Sequence, residues 1–393
     1  MRILLATESY LPNIDGGAVA RRNLALRLKE KGHEVGVVAP GTLSKNYEEE
    51  LDGISVFRIK GRTLPLYPDY KFCVFPFWEV KRIINKFKPD VIDMNSPYQI
   101  GMCALACGKK KDIPVIGTIH VQPENMLMSV EKAKFLYGIL ERMAWSYIMR
   151  VFNVCDYVTS PTQTAINLMR THGLTAKAKP ISSGIDLSIF NPLNNGDYLR
   201  KRFSIPNEPV VLYTGRISGE KRLDVLVRAF PRVLNAIDTH LVICGSGREK
   251  GNIESLVEKL GISENVTFTG FLSQNEFPNI YGIADLFAIP SESELQSIVT
   301  MEALASGLPV VAADKHALPE LVKNPQNGFL FEPGNTEALS DKIIEILSDN
   351  NLKKSMGQKS LEIIQPHSVE NTILQFEELY TEAIDNYKRT RKH

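Results

Sequence analysis

The chain contains no stretch that could cross a membrane, because no run reaches the roughly eighteen uncharged apolar residues that a spanning helix needs. The apolar part of its start, MRILLATESYLPN, is too short for a secretory signal peptide. Only 5 cysteines occur among 393 residues, and their odd number and scattered positions argue against a disulfide framework. We therefore expect a soluble cytoplasmic protein with buried thiols.

Three motifs for metals and cofactors are also missing. No two aspartates are two residues apart, so there is no DxD metal motif, and the His and Cys spacing offers no zinc site. The run Gly245-Ser246-Gly247 is followed by Gly251, one residue too late for the GxGxxG signature of dinucleotide-binding proteins. Charge on a departing group would then be met by Arg, Lys and helix N-termini, with no obligatory metal or cofactor.

Short apolar runs alternate with segments of helical length throughout the chain, which is the pattern of parallel sheets with crossover helices. The length is sufficient for two domains of about 150 to 200 residues each. The predicted strands form two series, at residues 2–7, 34–39, 54–59, 91–94, 115–118 and 157–160, and at 210–213, 240–244, 266–269, 286–289, 309–312 and 328–331. This pattern predicts an α/β protein with two facing, doubly wound Rossmann-like domains and a ligand cleft between them.

Charge is divided unevenly along the chain. Residues 1–185 hold 25 Lys and Arg against 17 Asp and Glu, a balance of +8, and the remainder carries −7. The asymmetry suggests an anionic partner for the first half, and surface chemistry without a function is the alternative.

Two glutamates, Glu294 and Glu302, stand in the run SESELQSIVTMEALASGLPVV. Ser297 is a candidate N-cap, and the free N–H groups of Ser297, Ile298 and Val299 can bind a diphosphate. Glu302 follows roughly 6 Å further along the helix, within reach of a ribose, and Glu294 in the preceding loop can reach a hexose. A solvated pair of glutamates is the alternative interpretation.

Three further groups follow predicted strands. Arg216 and Lys221 lie between a strand and a helix and suit the charge of a phosphate leaving group. Gly16 and Gly17 precede a helix and permit close approach to backbone N–H groups, although a plain strand-to-helix connection would look the same. His120 comes just after a buried strand, at the edge where open α/β sheets bind ligands, and a structural histidine is the alternative.

In their order along the chain, these motifs resemble those of the retaining glycosyltransferases of family four, which have the GT-B fold. The resemblance covers nearly the whole chain and departs at Ser297, where the family usually has Gly. It implies hexose transfer from a nucleotide-sugar with retention, by front-face attack in which the leaving phosphate takes the acceptor proton. It also implies that the terminal helix, 368–386, crosses back to the first domain, so we predict domains of residues 1–188 with about 368–393, and 189–367.

The resemblance also implies roles for individual residues. The catalytic group would comprise His120, Arg216, Lys221 and Glu294, with His120 positioning the donor sugar. The donor-binding group would comprise Gly16, Gly17, Gly245, Phe271, Leu272, Ser297, Ile298, Val299 and Glu302, with the backbone near Phe271 and Leu272 holding the base. No metal ligand is predicted.

Acceptor choice is expected in the first domain, where two segments are unusual. Residues 64–78 form a Pro- and aromatic-rich loop. Residues 126–152 predict a helix that is apolar on two sides, one with Phe135, Ile139, Trp145 and Met149 and the other with Leu136, Leu140, Ala144 and Tyr147. Such a helix is buried or meets lipid, and with the nearby Lys and Arg residues it fits a peripheral enzyme on the anionic inner face of a membrane.

Within the family, Tyr10-Leu11-Pro12 with Asp15-Gly16, together with His120 and Glu294-Leu295-Gln296, resembles the members that glycosylate membrane lipids such as diacylglycerol. A UDP-sugar such as UDP-glucose is the favoured donor, and no nucleic-acid partner is expected. The alternatives are a nucleotide-sugar epimerase of the same fold, a transferase with a soluble glycan acceptor, and a silent sugar-nucleotide sensor. An NAD-dependent oxidoreductase is opposed by the missing GxGxxG.

Overall fold

The structure is a computed structural model that describes residues 1–12, 16–64, 67–119 and 134–390. It divides into two compact units, Met1–Ser182 with Ile373–His393, and Ser183–Thr372. The limits predicted from the sequence, 188 and 368, both fall inside the second unit. Within the described ranges, no helix combines the length and apolar composition needed to cross a bilayer.

The first unit contains ten strands within the described ranges, and eight of them form one sheet in the order β10-β9-β8-β7-β1-β2-β4-β3. The strands are β1 (Arg2–Ala6), β2 (Glu34–Gly41), β3 (Tyr47–Leu51), β4 (Ile54–Lys60), β5 (Arg62–Leu64), β6 (Tyr67–Phe72), β7 (Val91–Met94), β8 (Val115–Thr118), β9 (Tyr157–Ser160) and β10 (Ala178–Pro180). The helices are α1 (Gly16–Glu30), α2 (Phe77–Phe87), α3 (Gln99–Lys110), α4 (Lys134–Phe152), α5 (Gln163–Thr171) and, at the end of the chain, α14 (Val369–Thr390).

Every pairing in this sheet is parallel except the one between β3 and β4. Strand β3 was not predicted because its sequence, YEEEL, has three consecutive charged residues. It lies at the sheet edge and alternates between half-buried and exposed positions, and charged side chains are common on such edges because they discourage pairing with another chain.

Two predictions about the first unit need correction. Part of the predicted loop at 64–78 is regular, since β6 occupies Tyr67–Phe72 and pairs with β5, and α2 begins at Phe77. The predicted helix at 126–152 is described only from Lys134, and Ile139 is exposed while Trp145 and Met149 are buried. Ile139 and Trp145 are six residues apart, which places them on different sides of a helix.

The terminal helix α14 packs into the core of the first unit, through Ile373, Phe376, Leu379 and Tyr380. The Tyr380 hydroxyl donates a hydrogen bond of 2.5 Å to Asp93 Oδ2 within this buried interior. Thr118 and Asn95 donate to the other carboxylate oxygen, so the buried acid is fully satisfied. Burial raises the pKa of Asp93 to about 6 despite these bonds.

The second unit contains one parallel sheet in the order β13-β12-β11-β14-β15-β16. Its strands are β11 (Val210–Thr214), β12 (His240–Cys244), β13 (Val266–Gly270), β14 (Leu286–Ile289), β15 (Val310–Ala313) and β16 (Gly328–Phe331). Its helices are α6 (Asp197–Arg202), α7 (Leu223–Leu234), α8 (Lys250–Lys259), α9 (Phe277–Tyr281), α10 (Ile298–Ala305), α11 (Leu318–Leu321), α12 (Thr336–Ser348) and α13 (Asn350–Ile364), with 3-10 turns at Gly219–Lys221, Ser263–Asn265 and Gln365–His367.

In chain order this arrangement is 3-2-1-4-5-6, the strand order of the Rossmann fold. The order reverses between β11 and β14, which lie side by side. In this fold, the segments that follow two such strands run to opposite faces of the sheet and leave a crevice between them. Open α/β sheets bind ligands in this crevice. The sheet topology therefore identifies the loops after β11 and β14 as the place to look for a site.

Candidate active site

The predicted residues of the second unit all follow the carboxyl ends of adjacent strands. Arg216 and Lys221 follow β11, Gly245 follows β12, and Phe271 and Leu272 follow β13. Glu294, Ser297, Ile298, Val299 and Glu302 follow β14. The structure thus brings these residues to one edge of the second sheet.

Backbone hydrogen bonds connect the loop after β11 to the loop after β12. Gly215 N donates to Cys244 O at 3.0 Å, and Ile217 N donates to Ser246 O at 2.9 Å. A Cβ atom on Gly245 would lie 1.9 Å from the Gly215 carbonyl oxygen, and the φ of Gly245 is +143°. Glycine is therefore required at Gly245 by the packing of the two loops, a steric reason that sequence reasoning did not supply.

Lys221 and Glu294 form a buried ion pair across the point where the strand order reverses. Lys221 Nζ lies 2.6 Å from Glu294 Oε1, and only 15% and 9% of the two side chains are exposed. The other carboxylate oxygen, Glu294 Oε2, accepts no hydrogen bond from a described residue. An ammonium group has three donors, so Lys221 retains two for a ligand.

Arg216 differs from Lys221 in its surroundings. Its side chain is 71% exposed, and its guanidinium lies 3.6 Å from Glu220 Oε1. Such an exposed contact contributes little to stability, so the guanidinium is free to reorient towards a phosphate.

Glu220 is a site residue that the sequence reasoning missed. Its Oε1 accepts a hydrogen bond of 2.6 Å from the Ser218 hydroxyl, and its backbone oxygen accepts one from Glu292 N at 3.1 Å. Burial tends to raise the pKa of Glu220, but the hydrogen bonds it accepts and the charges of Arg216 and Lys221 together lower it. Glu220 therefore joins the loop after β11 to the loop after β14. The only sequence signal was an acid four residues after one cation and next to another.

The loop after β14 leads into α10 through Ser297, which is the helix N-cap. Its hydroxyl accepts from Thr300 N at 3.4 Å and from Thr300 Oγ1 at 2.8 Å. The backbone N–H groups of Ser297, Ile298 and Val299 donate to no described residue. These three donors at a helix N-terminus form a site suited to an anion.

Glu302 lies inside the second unit, and its carboxyl group accepts a hydrogen bond from one described side chain. The Tyr281 hydroxyl donates to Glu302 Oε2 at 2.5 Å and lies 2.8 Å from Thr214 Oγ1. Burial raises the pKa of Glu302 to about 8, although the bond from Tyr281 acts in the opposite direction. Oε1 accepts no hydrogen bond from a described residue. Neither Tyr281 nor Thr214 was predicted, because each reads as an ordinary core residue in the sequence.

The turn after β13 has two dissimilar residues. Phe271 is 83% exposed, whereas Leu272 packs against the core of the second unit. The exposed ring follows Gly270, whose φ is +68°. An aromatic side chain displayed in this way offers a flat apolar surface for stacking.

The predicted residues of the first unit are described only in part. Gly16 and Gly17 begin α1, as expected of a helix start. His120 lies outside the described residues. Glu8, which follows β1 in the chain and was not predicted, accepts hydrogen bonds from Ser96 Oγ at 2.9 Å and Ile100 N at 2.7 Å, and burial raises its pKa to about 7.

Helix α4 has an exposed apolar side in the first unit. Ile139, Leu140, Met143 and Tyr147 are exposed, and Met143 is the most exposed of them at 63%. Arg142 and Arg150 of the same helix line a groove of about 700 Å³, which is also lined by Trp145, stacked on His172. Neither arginine forms an ion pair with a described residue. The helix thus presents apolar and cationic groups together.

The second unit therefore offers donors for a diphosphate in Lys221, Arg216 and the N-terminus of α10. It also offers an open carboxyl oxygen on Glu294 and another on Glu302, which suit hydroxyl groups. Hydrogen-bond donors for an anion, flanked by carboxyl oxygens that can accept from hydroxyl groups, match the chemistry of a nucleotide-sugar.

Comparison with known proteins agrees with this chemistry. The family model Glycosyltransferase Family 4 matches residues 14–189, and the model Glycosyl transferases group 1 matches residues 197–362. The chain is therefore a glycosyltransferase of family four, and its fold is GT-B. The crystal structure of Anabaena Alr3699/HepE in complex with UDP matches with a TM-score of 0.77 and 20% identity, over 97% of this chain and 100% of that one. The predicted family and fold are confirmed.

Two curated relatives differ in what their names specify. The alpha-monoglucosyldiacylglycerol synthase of Streptococcus pneumoniae is 29% identical over 98% of this chain and 86% of its own. The GDP-mannose-dependent alpha-mannosyltransferase of Mycobacterium tuberculosis is 27% identical over 89% of each chain. This chain is thus similar to a lipid-glycosylating enzyme and also to one that uses a guanine nucleotide.

Proposed function

We propose that this protein transfers a hexose from a nucleotide-sugar to a hydroxyl group of a membrane lipid, with retention of configuration and without an obligatory metal ion. Similarity to the monoglucosyldiacylglycerol synthase supports the lipid acceptor. A UDP-sugar such as UDP-glucose is the favoured donor, and the UDP bound by HepE supports this choice. The GDP-mannose-dependent relative makes a guanine nucleotide the first alternative to test.

The observation that carries the proposal is the pairing of Lys221 with Glu294 close to the start of α10, where three N–H groups donate to no described residue. In the proposed complex, the diphosphate accepts hydrogen bonds from Ser297, Ile298 and Val299 and from the cations Lys221 and Arg216. Preorganised donors of this kind stabilise charge as it develops on a leaving group. Because Glu294 already holds the Lys221 ammonium, little reorganisation would be needed when the donor binds.

The two carboxylates would bind the two sugars of the donor. Glu302 Oε1 would accept the ribose hydroxyls, and Glu294 Oε2 would accept a hydroxyl of the hexose. The backbone near Phe271 and Leu272 would hold the base, while His120, Gly16 and Gly17 would contact the donor, as the family resemblance implies.

In the transfer step, the bond between the anomeric carbon and the phosphate oxygen breaks while a bond to the acceptor oxygen forms on the same face. The acceptor hydroxyl gives its proton to the leaving phosphate, so the products are a glycoside and a nucleoside diphosphate. Lys221, Arg216 and the helix N-terminus would meet the charge on that phosphate, which is why no metal ion is required in the proposal.

The surface of α4 supports a lipid acceptor. Exposed apolar side chains such as Ile139 and Met143 would enter the interfacial layer, while Arg142 and Arg150 would lie against anionic headgroups. Residues 1–185 carry an excess of positive charge, which would also favour binding to an anionic membrane surface. We propose a peripheral association with the cytoplasmic face of the membrane.

The experiment that tests the function offers the purified protein radiolabelled UDP-, GDP- and ADP-sugars with a lipid extract. Label that becomes soluble in organic solvent supports transfer to a lipid, and the nucleotide that delivers it identifies the donor. The Glu294→Gln variant is the control, and we expect it to transfer label much more slowly.

The other outcomes identify the alternatives. Label in a water-soluble oligosaccharide would indicate a glycan acceptor. Conversion of the donor sugar to its epimer, with no acceptor required, would indicate an epimerase. An unchanged donor in every mixture would contradict transfer altogether.

A further inference from the structure

Three buried side chains of the second unit form a hydrogen-bonded chain that ends at Glu302. Thr214 is the last residue of β11, Tyr281 is the last residue of α9, and Glu302 lies in α10. Thr214 Oγ1 lies 2.8 Å from the Tyr281 hydroxyl, which donates to Glu302 Oε2 at 2.5 Å. Thr214 and Tyr281 are each 1% exposed, so water does not compete for these bonds.

The ring of Tyr281 cannot move its hydroxyl away from the carboxyl group. Phe190 and Phe277 meet the ring edge-on, each with its centroid 5.8 Å away, and Phe287 lies at 6.2 Å. Aromatic contacts of this kind prefer defined geometries, and a close-packed interior transmits them. The cluster therefore fixes the hydroxyl, and the hydroxyl fixes one oxygen of Glu302.

The two oxygens of Glu302 consequently have different surroundings. Oε2 is held by Tyr281, while Oε1 accepts no hydrogen bond from a described residue. A carboxyl group held at one oxygen presents the other in one direction, which is what recognition of a ribose hydroxyl requires. A hydroxyl group has one proton, so when Tyr281 donates to an ionised Glu302 it must accept from Thr214.

We propose that Tyr281 is a positioning residue that holds Glu302 for the ribose of the donor, and that Thr214 orients the Tyr281 hydroxyl. The inference rests on the proposed function, because it requires that Glu302 binds a ribose. It goes further in assigning selectivity for ribose to a residue that touches no ligand.

The arrangement has a consequence for pH. The titratable groups near Glu302 are Tyr281 of α9 and Cys244 of β12, and no described cation contributes to its pKa. Because burial raises the pKa of Glu302 to about 8, the free site is largely protonated at neutral pH. A ribose hydroxyl that donates to Oε1 favours the ionised form, so donor affinity should rise as pH increases towards 8. Tyr281 lowers this pKa, so its loss should move the rise to higher pH.

The test is a double-mutant cycle in which one change removes the Tyr281 hydroxyl from the protein and the other removes a ribose hydroxyl from the donor. We would measure the Kd of the accepted nucleotide-sugar and of its 2′-deoxy and 3′-deoxy forms by calorimetry, for the wild type and Tyr281→Phe. We expect Tyr281→Phe to raise the Kd of the ribose donor about tenfold, a change that one hydrogen bond to a carboxylate can support. For at least one deoxy donor, Tyr281→Phe should leave the Kd almost unchanged, because the hydroxyl that Glu302 would bind is already absent from that donor.

The matched control is Tyr380→Phe, which removes a buried tyrosine bond of the same 2.5 Å length to Asp93 in the first unit. It should lower thermal stability and leave the donor Kd and its pH profile unchanged. Thr214→Val should raise the Kd less than Tyr281→Phe does, and it carries the test if Tyr281→Phe fails to fold.

Equal weakening of ribose and deoxyribose donors, or an unshifted pH profile in Tyr281→Phe, would overturn the inference while leaving the proposed function intact. If the wild type binds no nucleotide-sugar at all, the proposed function fails first.

Discussion

Replacing Lys221 by Met should separate the structural and the catalytic effects of the buried ion pair. Methionine has a similar length and no charge, so Lys221→Met leaves the Glu294 carboxylate buried without its partner at 2.6 Å. Removing one member of a buried pair costs about 3 kcal/mol. For a unit of the size of Ser183–Thr372, that loss lowers the unfolding temperature by roughly 6 to 12 °C.

The catalytic effect follows from the charge that forms on the leaving phosphate. Losing one preorganised donor to developing charge also costs about 3 kcal/mol, which corresponds to a decrease in kcat of about a hundredfold. The double variant Lys221→Met/Glu294→Gln tells the two effects apart. It should recover most of the lost stability, because no carboxylate is left unpaired, and none of the lost turnover.

The assay combines calorimetric unfolding with initial rates of sugar transfer at saturating donor. Lys353→Met is the matched control, because Lys353 pairs with Asp285 at 2.7 Å in the same unit, with 20% and 26% of the side chains exposed. It should lose some stability and keep its turnover. A folded Lys221→Met enzyme whose kcat stays within threefold of the wild type would refute the proposed role for the ammonium.

Three further predictions concern the helix N-terminus, the metal ion and the membrane. Ser297→Gly should keep kcat/KM within about threefold, because Gly replaces an N-cap Ser at a cost of only a few tenths of a kcal/mol, and a tenfold loss would show that the hydroxyl itself is needed. Transfer should persist in excess EDTA, and loss restored by magnesium or manganese would contradict metal independence. Met143→Asp should reduce flotation with anionic vesicles several-fold. Leu193→Asp, which changes an exposed residue of the second unit, should not reduce it. Equal flotation of the two variants would contradict membrane binding through α4.

The strands were predictable where burial on both faces makes a continuous apolar run. The predicted limits of β7, β8, β12 and β14 agree with the structure for this reason. Strand β3 was missed because an edge strand can be rich in Glu.

The partners of the site residues were much less predictable than the residues themselves. Lys221 and Glu294 are 73 positions apart, and their contact depends on β11 and β14 being neighbours in the sheet. The role of Tyr281 could not be predicted for a similar reason, because its hydroxyl contacts Glu302 only when α9 packs beside α10. Gly245 illustrates the opposite case, because its predicted location agrees with the structure while the evident reason for its glycine is contact with Gly215.

The two glutamates of the motif show how environment separates identical side chains. Glu294 has a cation 2.6 Å away, which balances its negative charge and leaves its second oxygen to accept a hydroxyl. Glu302 has a neutral tyrosine as its partner, and burial raises its pKa to about 8, so its charge is linked to what binds. Donor binding would therefore release a proton at Glu302. In the proposed site, the ribose contact therefore makes donor affinity depend on pH.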